Sequence, residues 1–193
     1  MAIRNILQDG DSTLLKTSRK VTDFDKRLHT LLDDMRETLI DANGLGLAAP
    51  QVGVLRRVVL IVDINIESDD MEEQIIELIN PVILEQSGED SSSEGCLSFP
   101  GIYGIVTRPA TVKFSAQDRF GKDFEMVVEN ITARAVCHEV DHLNGVIFKT
   151  LVERYLTEEE IEEMFASREA NNEEESVEEK TVEDKQVDEN QTS

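Results

Sequence analysis

The sequence predicts an α+β fold in which antiparallel or mixed β-sheets pack around a central helix bearing an HExxH motif. An N-terminal helix precedes the sheets and a short C-terminal helix closes the domain. Three observations predict this. A helical-period segment comes first, β-rich runs fill the middle, and a second helical segment containing His138-Glu-Val-Asp-His142 follows them. Strands gathered between helices, rather than alternating with them, favour α+β over a βαβ repeat. The chain of 193 residues, 39% of them hydrophobic, fits one compact domain with length to spare.

Phe24, Leu28, Leu31, Leu32, Met35 and Leu39 recur at helical spacing and predict a helix over about residues 23–42. Asn43-Gly44 supplies its stop, because glycine tolerates the left-handed conformation that closes many helices. His29 lies within this segment without an acidic or thiol partner at ligand-like spacing, and a structural role is expected for it. Arg57 to Ile64 and Ile75 to Ile83 are rich in Val, Leu and Ile and read as strands. Thr111 to Gln117 alternates, Asp118-Arg-Phe-Gly121 turns, and Phe124 to Val128 returns, which is a hairpin pattern.

The second long helix is expected from Asn130, a good N-cap, to about Leu143 before Gly145. Ile131, Ala135, His138 and His142 share one stripe, while Ala133, Val136, Val140 and Leu143 form another. A helix apolar on more than one side belongs in the interior. Thr157-Glu-Glu-Glu160 is a capping box ahead of a short terminal helix. Residues 1–165 are therefore expected to form the domain, and 166–193 an acidic, disordered tail. That tail carries ten acids against Arg168, Lys180 and Lys185, and it lacks the apolar area that would offset its ordering entropy.

The formal charge of −22 argues against affinity for nucleic acid or an anionic membrane, since both rest on clustered Lys and Arg. No apolar run has the length of a signal peptide or a membrane span; the longest is Val58 to Val62. The cytoplasm is the expected compartment, where Cys96 and Cys137 stay reduced.

Chemistry concentrates in three segments. In His138-Glu-Val-Asp-His142, positions i and i+4 project to one face, so two imidazoles converge on a metal with Glu139 beside them. Two histidines do not complete a catalytic site. A metzincin peptidase would place a third histidine where this chain has Phe148, and the remaining soft ligand is Cys96 in Glu94-Gly-Cys-Leu-Ser98. Cys137 points about a quarter-turn from the histidine face and is expected to pack in the core. Gly44-Leu-Gly-Leu-Ala-Ala-Pro-Gln51 lacks the lysine and spacing of a phosphate loop. Its small residues let backbone approach a ligand, and Gln51 offers an uncharged amide donor.

Together, in order and approximate spacing, these segments resemble the three signature motifs of the peptide deformylase family, over about residues 1–165. The resemblance implies Cys96, His138 and His142 as metal ligands and Glu139 as the catalytic acid-base. It implies Gln51 and the backbone N–H of Leu97 as oxyanion donors, and Leu45, Gly46, Glu94 and Gly95 as groove-lining residues. It further implies removal of the formyl group from the N-terminal formyl-methionine of newly made proteins. The implied metal is ferrous iron, with zinc, nickel or cobalt able to occupy the site. Two departures stand out. Cys137 occupies a position where many members carry Gln. Some members dock to the ribosome through a basic C-terminal helix, whereas the terminal helix and tail here are acidic; transient ribosome contact rests on the resemblance alone. Two other readings remain: a zinc endopeptidase, which Phe148 and the cysteine segment disfavour, and a noncatalytic metal module, which would need a fourth ligand.

Overall fold

A computed structural model describes residues 2–68 and 70–167. Its strands are β1 (Gly46–Ala48), β2 (Val58–Val62), β3 (Ile75–Ser87), β4 (Asp90–Gly95), β5 (Tyr103–Arg108), β6 (Thr111–Gln117), β7 (Asp123–Glu129) and β8 (Arg154–Tyr155). The helices are α1 (Lys26–Asp41), a single turn α2 (Met71–Gln74), α3 (Asn130–Leu143) and α4, residues 158–167. Residues through Tyr155 form one compact unit, and α4 belongs to a second.

The strands build a five-stranded sheet, ordered β1-β2-β3-β6-β7, and a three-stranded sheet, ordered β4-β5-β8. Every pairing between these strands is antiparallel. The fold is thus α+β with antiparallel sheets. A sheet connected by hairpins and meanders can dispense with crossover helices.

The large sheet is covered on both faces. Val58, Leu60 and Val62 of β2 point into a core with Leu28, Leu32, Met35 and Leu39 of α1. Val59 and Ile61 point the other way, into a core with Val112, Phe114, Val128 and Ala133, Val136 and Leu143 of α3. All five β2 residues are buried, which explains why this strand reads as an unbroken apolar run. A third cluster joins Leu14, Phe99, Val106 and Phe148.

Several local expectations are corrected. Helix α1 begins later than its apolar period, because Asp25 caps it by accepting from the backbone N–H groups of Arg27 and Leu28. Asn43, at φ 48°, takes the left-handed position after α1, a conformation Asn adopts more readily than most side chains. Asn130 is not a side-chain cap. Glu129 holds the N-cap position, and Asn130 is the first helical residue at φ 52°. Strand β3 continues to Ser87, with one bulge at Asn80-Pro81 and a second at Leu84. A bulge accommodates the proline, which has no N–H for a ladder.

Other expectations match the structure. The 111–129 hairpin pairs in register from Thr111–Glu129 to Gln117–Asp123. His29 is structural, with its ring nitrogen 2.8 Å from the Arg119 carbonyl. The α4 capping box is reciprocal: the Glu160 N–H donates to Thr157 Oγ1 at 3.3 Å and the Thr157 N–H to Glu160 Oε2 at 2.9 Å. The tail expected from residue 166 lies outside the described residues from 168 onward. Among the described residues, no helix is long and apolar enough to cross a membrane.

Candidate metal centre

Helix α3 is buried on nearly every side, and His138, Glu139 and His142 are all interior. The i, i+4 spacing brings the two imidazole centroids to 4.9 Å. Cys96 arrives from the other sheet, in the turn that follows β4, closed by the Phe99 N–H donating to the Cys96 carbonyl at 2.9 Å. Its Sγ lies 3.3 Å from Nε2 of His142. The ligand atoms of Cys96, His138 and His142 all fall within 4.8 Å of one another. Donors bound at ~2.0–2.3 Å around a tetrahedral ion sit roughly 3.3–3.7 Å apart, so these three are close to the spacing such an ion needs.

A second layer fixes these groups. His138 donates from Nδ1 to Oε1 of Glu94 at 2.7 Å, which turns Nε2 toward the other donors. Glu94 also accepts from Arg108 at 2.7 and 3.0 Å and from Arg134 at 3.1 Å. Arg108 continues to Asp141, and Arg134 to Asp90. Burial opposes charge on Glu94, but the bonds from His138 and Arg108 outweigh it and hold the carboxyl well below the usual range.

Electrostatics favour one positive charge among the three donors. Burial works against charging His138, yet Cys96 and Glu94 raise its pKa well above the imidazole norm. Burial and the adjacent His138 push that of His142 well down. A proton or a cation satisfies such a pocket. The set of one thiol and two imidazoles suits zinc or ferrous iron rather than magnesium, and the residues present fit a divalent ion.

Among the described residues, Glu139 forms no ion pair. Burial pushes its carboxyl up to about 7. Among the described residues, its Oε2 and Nδ1 of His142 are buried without a hydrogen-bond partner. Gln51 comes from the 3-10 turn Ala49–Val52 after β1 and is 1% exposed. Its Oε1 accepts from the Ala48 N–H at 2.8 Å, which fixes the amide so that Nε2 reaches Ser98 Oγ at 3.3 Å and Cys96 Sγ at 3.6 Å. Leu97 follows Cys96, and its side chain packs over Gly44. The three motif segments therefore meet at one place.

The expected groove residues divide. Leu45 is exposed, Gly46 lies against Glu139, and Gly95 lies beneath the Tyr103 ring. Glu94 is buried, with its side chain on His138. Cys137 is buried in the α3 core and both cysteines are free. Sequence reasoning missed Arg108, Arg134 and Ser98. Arg134 carried a signal, since it lies four residues before His138 on a helix expected to be buried, where an arginine demands a partner.

Two imidazoles, a thiol and a buried carboxyl at one place are the equipment of a metal-dependent hydrolase. The profile of the polypeptide deformylase family matches residues 3–155. A peptide deformylase of Caldicellulosiruptor bescii is 50% identical over 163 residues, covering 84% of this chain and 93% of that protein. The crystal structure of a peptide deformylase from Legionella pneumophila superposes with a TM-score of 0.72 at 40% identity, covering 91% of this chain and 98% of that one. A Met-Ala-Ser-bound class I type b peptide deformylase from Acinetobacter baumannii gives 0.71 at 31% identity, covering 78% and 99%. The chain belongs to the polypeptide deformylase family. It is a metal-dependent hydrolase that removes the N-formyl group from nascent peptides.

Proposed function

We propose that Cys96, His138 and His142 hold one divalent ion, and that Glu139 carries the proton in cleaving formyl-methionine. The convergence of three donor atoms beside a desolvated carboxyl supports this reading. A divalent ion held there would supply Lewis-acid chemistry, lowering the pKa of a water and polarising the formyl carbonyl.

The chain's own groups do the rest. Glu139 accepts a proton as water oxygen joins the formyl carbon, then delivers it to the methionine nitrogen as the C–N bond breaks. Formate and a free N-terminal amine leave. Nε2 of Gln51 and the N–H of Leu97 donate to the oxygen that gains negative charge. Glu94 keeps His138 oriented. Glu139, next to His138 on the central helix α3, is fixed with respect to both histidines.

The free edges of β1 and β4 suit an extended peptide, whose main chain then binds with little regard to sequence. Leu45, Gly46, Gly95 and the Glu94 backbone line its path. Ile131 and Ala135 form a wall for the methionine side chain. The ion is ferrous iron in the cell, in the cytoplasm; zinc, nickel or cobalt fill the same donors. Contact with the ribosome is transient and does not use a basic C-terminal helix. Residues 1–165 suffice for catalysis, and 166–193 form an accessory tail.

Formate release from formyl-Met-Ala-Ser, measured with metal analysis of anaerobically purified protein, tests the site. Release should accompany one ion per chain and vanish with the ion in Cys96→Ala, His138→Ala and His142→Ala. Stoichiometric metal in all three variants rejects these ligands.

A further inference from the structure

We propose that the N-terminal arm, residues 4–19, is a strap that sets the two oxyanion donors, with Leu7 and Gln8 acting as positioning residues. This rests on the roles proposed for Gln51 and Leu97.

The strap touches each motif-bearing segment through backbone. The Leu7 N–H donates to the Gln51 carbonyl at 2.7 Å, and the Asp9 N–H to the Ser98 carbonyl at 3.1 Å. Nε2 of Gln8 reaches the Leu97 carbonyl at 3.4 Å, and the Ser18 N–H donates to the carbonyl of Leu143, the last residue of α3, at 2.8 Å. At Gly145 the arm lies so near that a Cβ would sit 2.6 Å from the Leu15 carbonyl oxygen. The arm is itself anchored. Leu14 is buried with Phe99 and Phe148, and Lys149 holds the Asp9 carboxylate at 2.8 Å.

Gln51 and Leu97 are 46 positions apart and lie on different elements, β1's turn and β4's turn. What joins their segments directly is the Gln51 amide, whose Nε2 reaches Ser98 Oγ at 3.3 Å and Cys96 Sγ at 3.6 Å. The arm adds two further hydrogen bonds, from the Leu7 N–H to the Gln51 carbonyl and from the Gln8 side chain to the Leu97 carbonyl. It bonds the carbonyls of the residues whose donors face the reacting oxygen. An oxyanion site works only when its donors hold their places before charge develops. A strap that fixes both segments supplies that condition without touching substrate.

A merely structural arm would cost stability or binding in general, so the test separates the two. Leu7→Pro removes the donor to Gln51, and Gln8→Ala removes the exposed side-chain bond to Leu97. Each is made in the full-length, metal-loaded enzyme and assayed with formyl-Met-Ala-Ser. Affinity for the product Met-Ala-Ser is measured in parallel. We expect kcat to fall on the order of tenfold in Leu7→Pro and about threefold in Gln8→Ala, with metal content and product affinity unchanged. In a Gln51→Ala background the Leu7→Pro loss should largely disappear, because both changes disable one donor.

Unchanged kcat in Gln8→Ala and in folded Leu7→Pro overturns the strap. So does a Leu7→Pro loss that persists in full in the Gln51→Ala background, or a parallel loss of product affinity. If Leu7→Pro fails to fold, Gln8→Ala decides alone. Should Gln51→Ala itself keep full turnover, the oxyanion assignment fails and the strap falls with it. A large Gln51→Ala loss beside normal strap variants rejects the strap only.

Discussion

Gly46 lies so close to Glu139 that a Cβ on the glycine would fall 2.6 Å from Oε1 and 2.7 Å from Cγ. The backbone of β1 thus forms the floor against which the buried carboxyl rests. Gly46→Ala should displace Glu139 while leaving the three donors in place. Turnover should fall on the order of 10²-fold with metal retained, since displacements near 1 Å carry that cost. Normal formate release from a metal-loaded Gly46→Ala protein would show that Glu139 tolerates movement.

Glu139→Gln isolates the proton. The amide keeps the shape of the carboxyl, but it can neither take a proton from water nor return one to the amine. Formate release should drop by roughly 10²–10⁴-fold with metal near one per chain. Both quantities are read on the same sample, and near-normal turnover with metal bound removes Glu139 from the mechanism.

The same substitution should stabilise the protein stripped of metal, in a pH-dependent way. Burial raises the Glu139 carboxyl from 4.5 to about 7. The unfolded chain therefore releases this proton before the folded chain does, and stability is lost as pH climbs from about 4.5 to about 7. The full effect is about 3 kcal/mol. Thermal melts of chelated Glu139→Gln should exceed those of the parent by several degrees at pH 8 and converge with them near pH 4. A gap that is the same at both pH values would mean the carboxyl carries no burial penalty.

Glu94 has the opposite sign. Held well below the usual carboxylate range by His138 and Arg108 against the opposition of burial, it contributes stability above about pH 4.5. That contribution fades as pH falls further toward its folded value. Glu94→Gln should lower the melting temperature at neutral pH, because Arg108 and Arg134 lose their buried counter-charge. The deficit should shrink on acidification. Metal affinity should weaken ~10–100-fold as His138 loses its orienting acceptor. Competition with a chromogenic chelator measures this, and parental affinity would show that the ion does not depend on Glu94 orienting His138.

Truncation after Ser167 removes a segment that is acidic and has no apolar stripe. Folding and turnover on formyl-Met-Ala-Ser should both persist. A large loss of kcat would place part of the tail in the catalytic unit.

Much of this was legible in the sequence for a local reason. His138 and His142 are four apart on one helix, so their geometry follows from helical pitch alone. The apolar run at Val58 announced a strand because both of its faces are buried. Strand β4 was not legible: Asp90-Ser-Ser-Ser-Glu-Gly95 has no apolar alternation. Its pairing comes from β5, and its inward charge, Glu94, is neutralised by arginines 14 and 40 residues away. Contacts at such separations leave no periodic trace. Asn130 looked like a cap because of its residue type, whereas the turn from β7 required it to take a positive φ.

The chain's two thiols answer differently to chemical probes. Cys137 is sealed in the α3 core, where burial lifts its thiol to about 11, so at neutral pH it is neither reachable nor ionised. Cys96 is partly exposed. A thiol reagent applied to the folded protein therefore addresses one sulfur per chain, and an ion on that sulfur would shield it. Counting reactive thiols without denaturing the sample then becomes a direct meter of how many active sites are loaded.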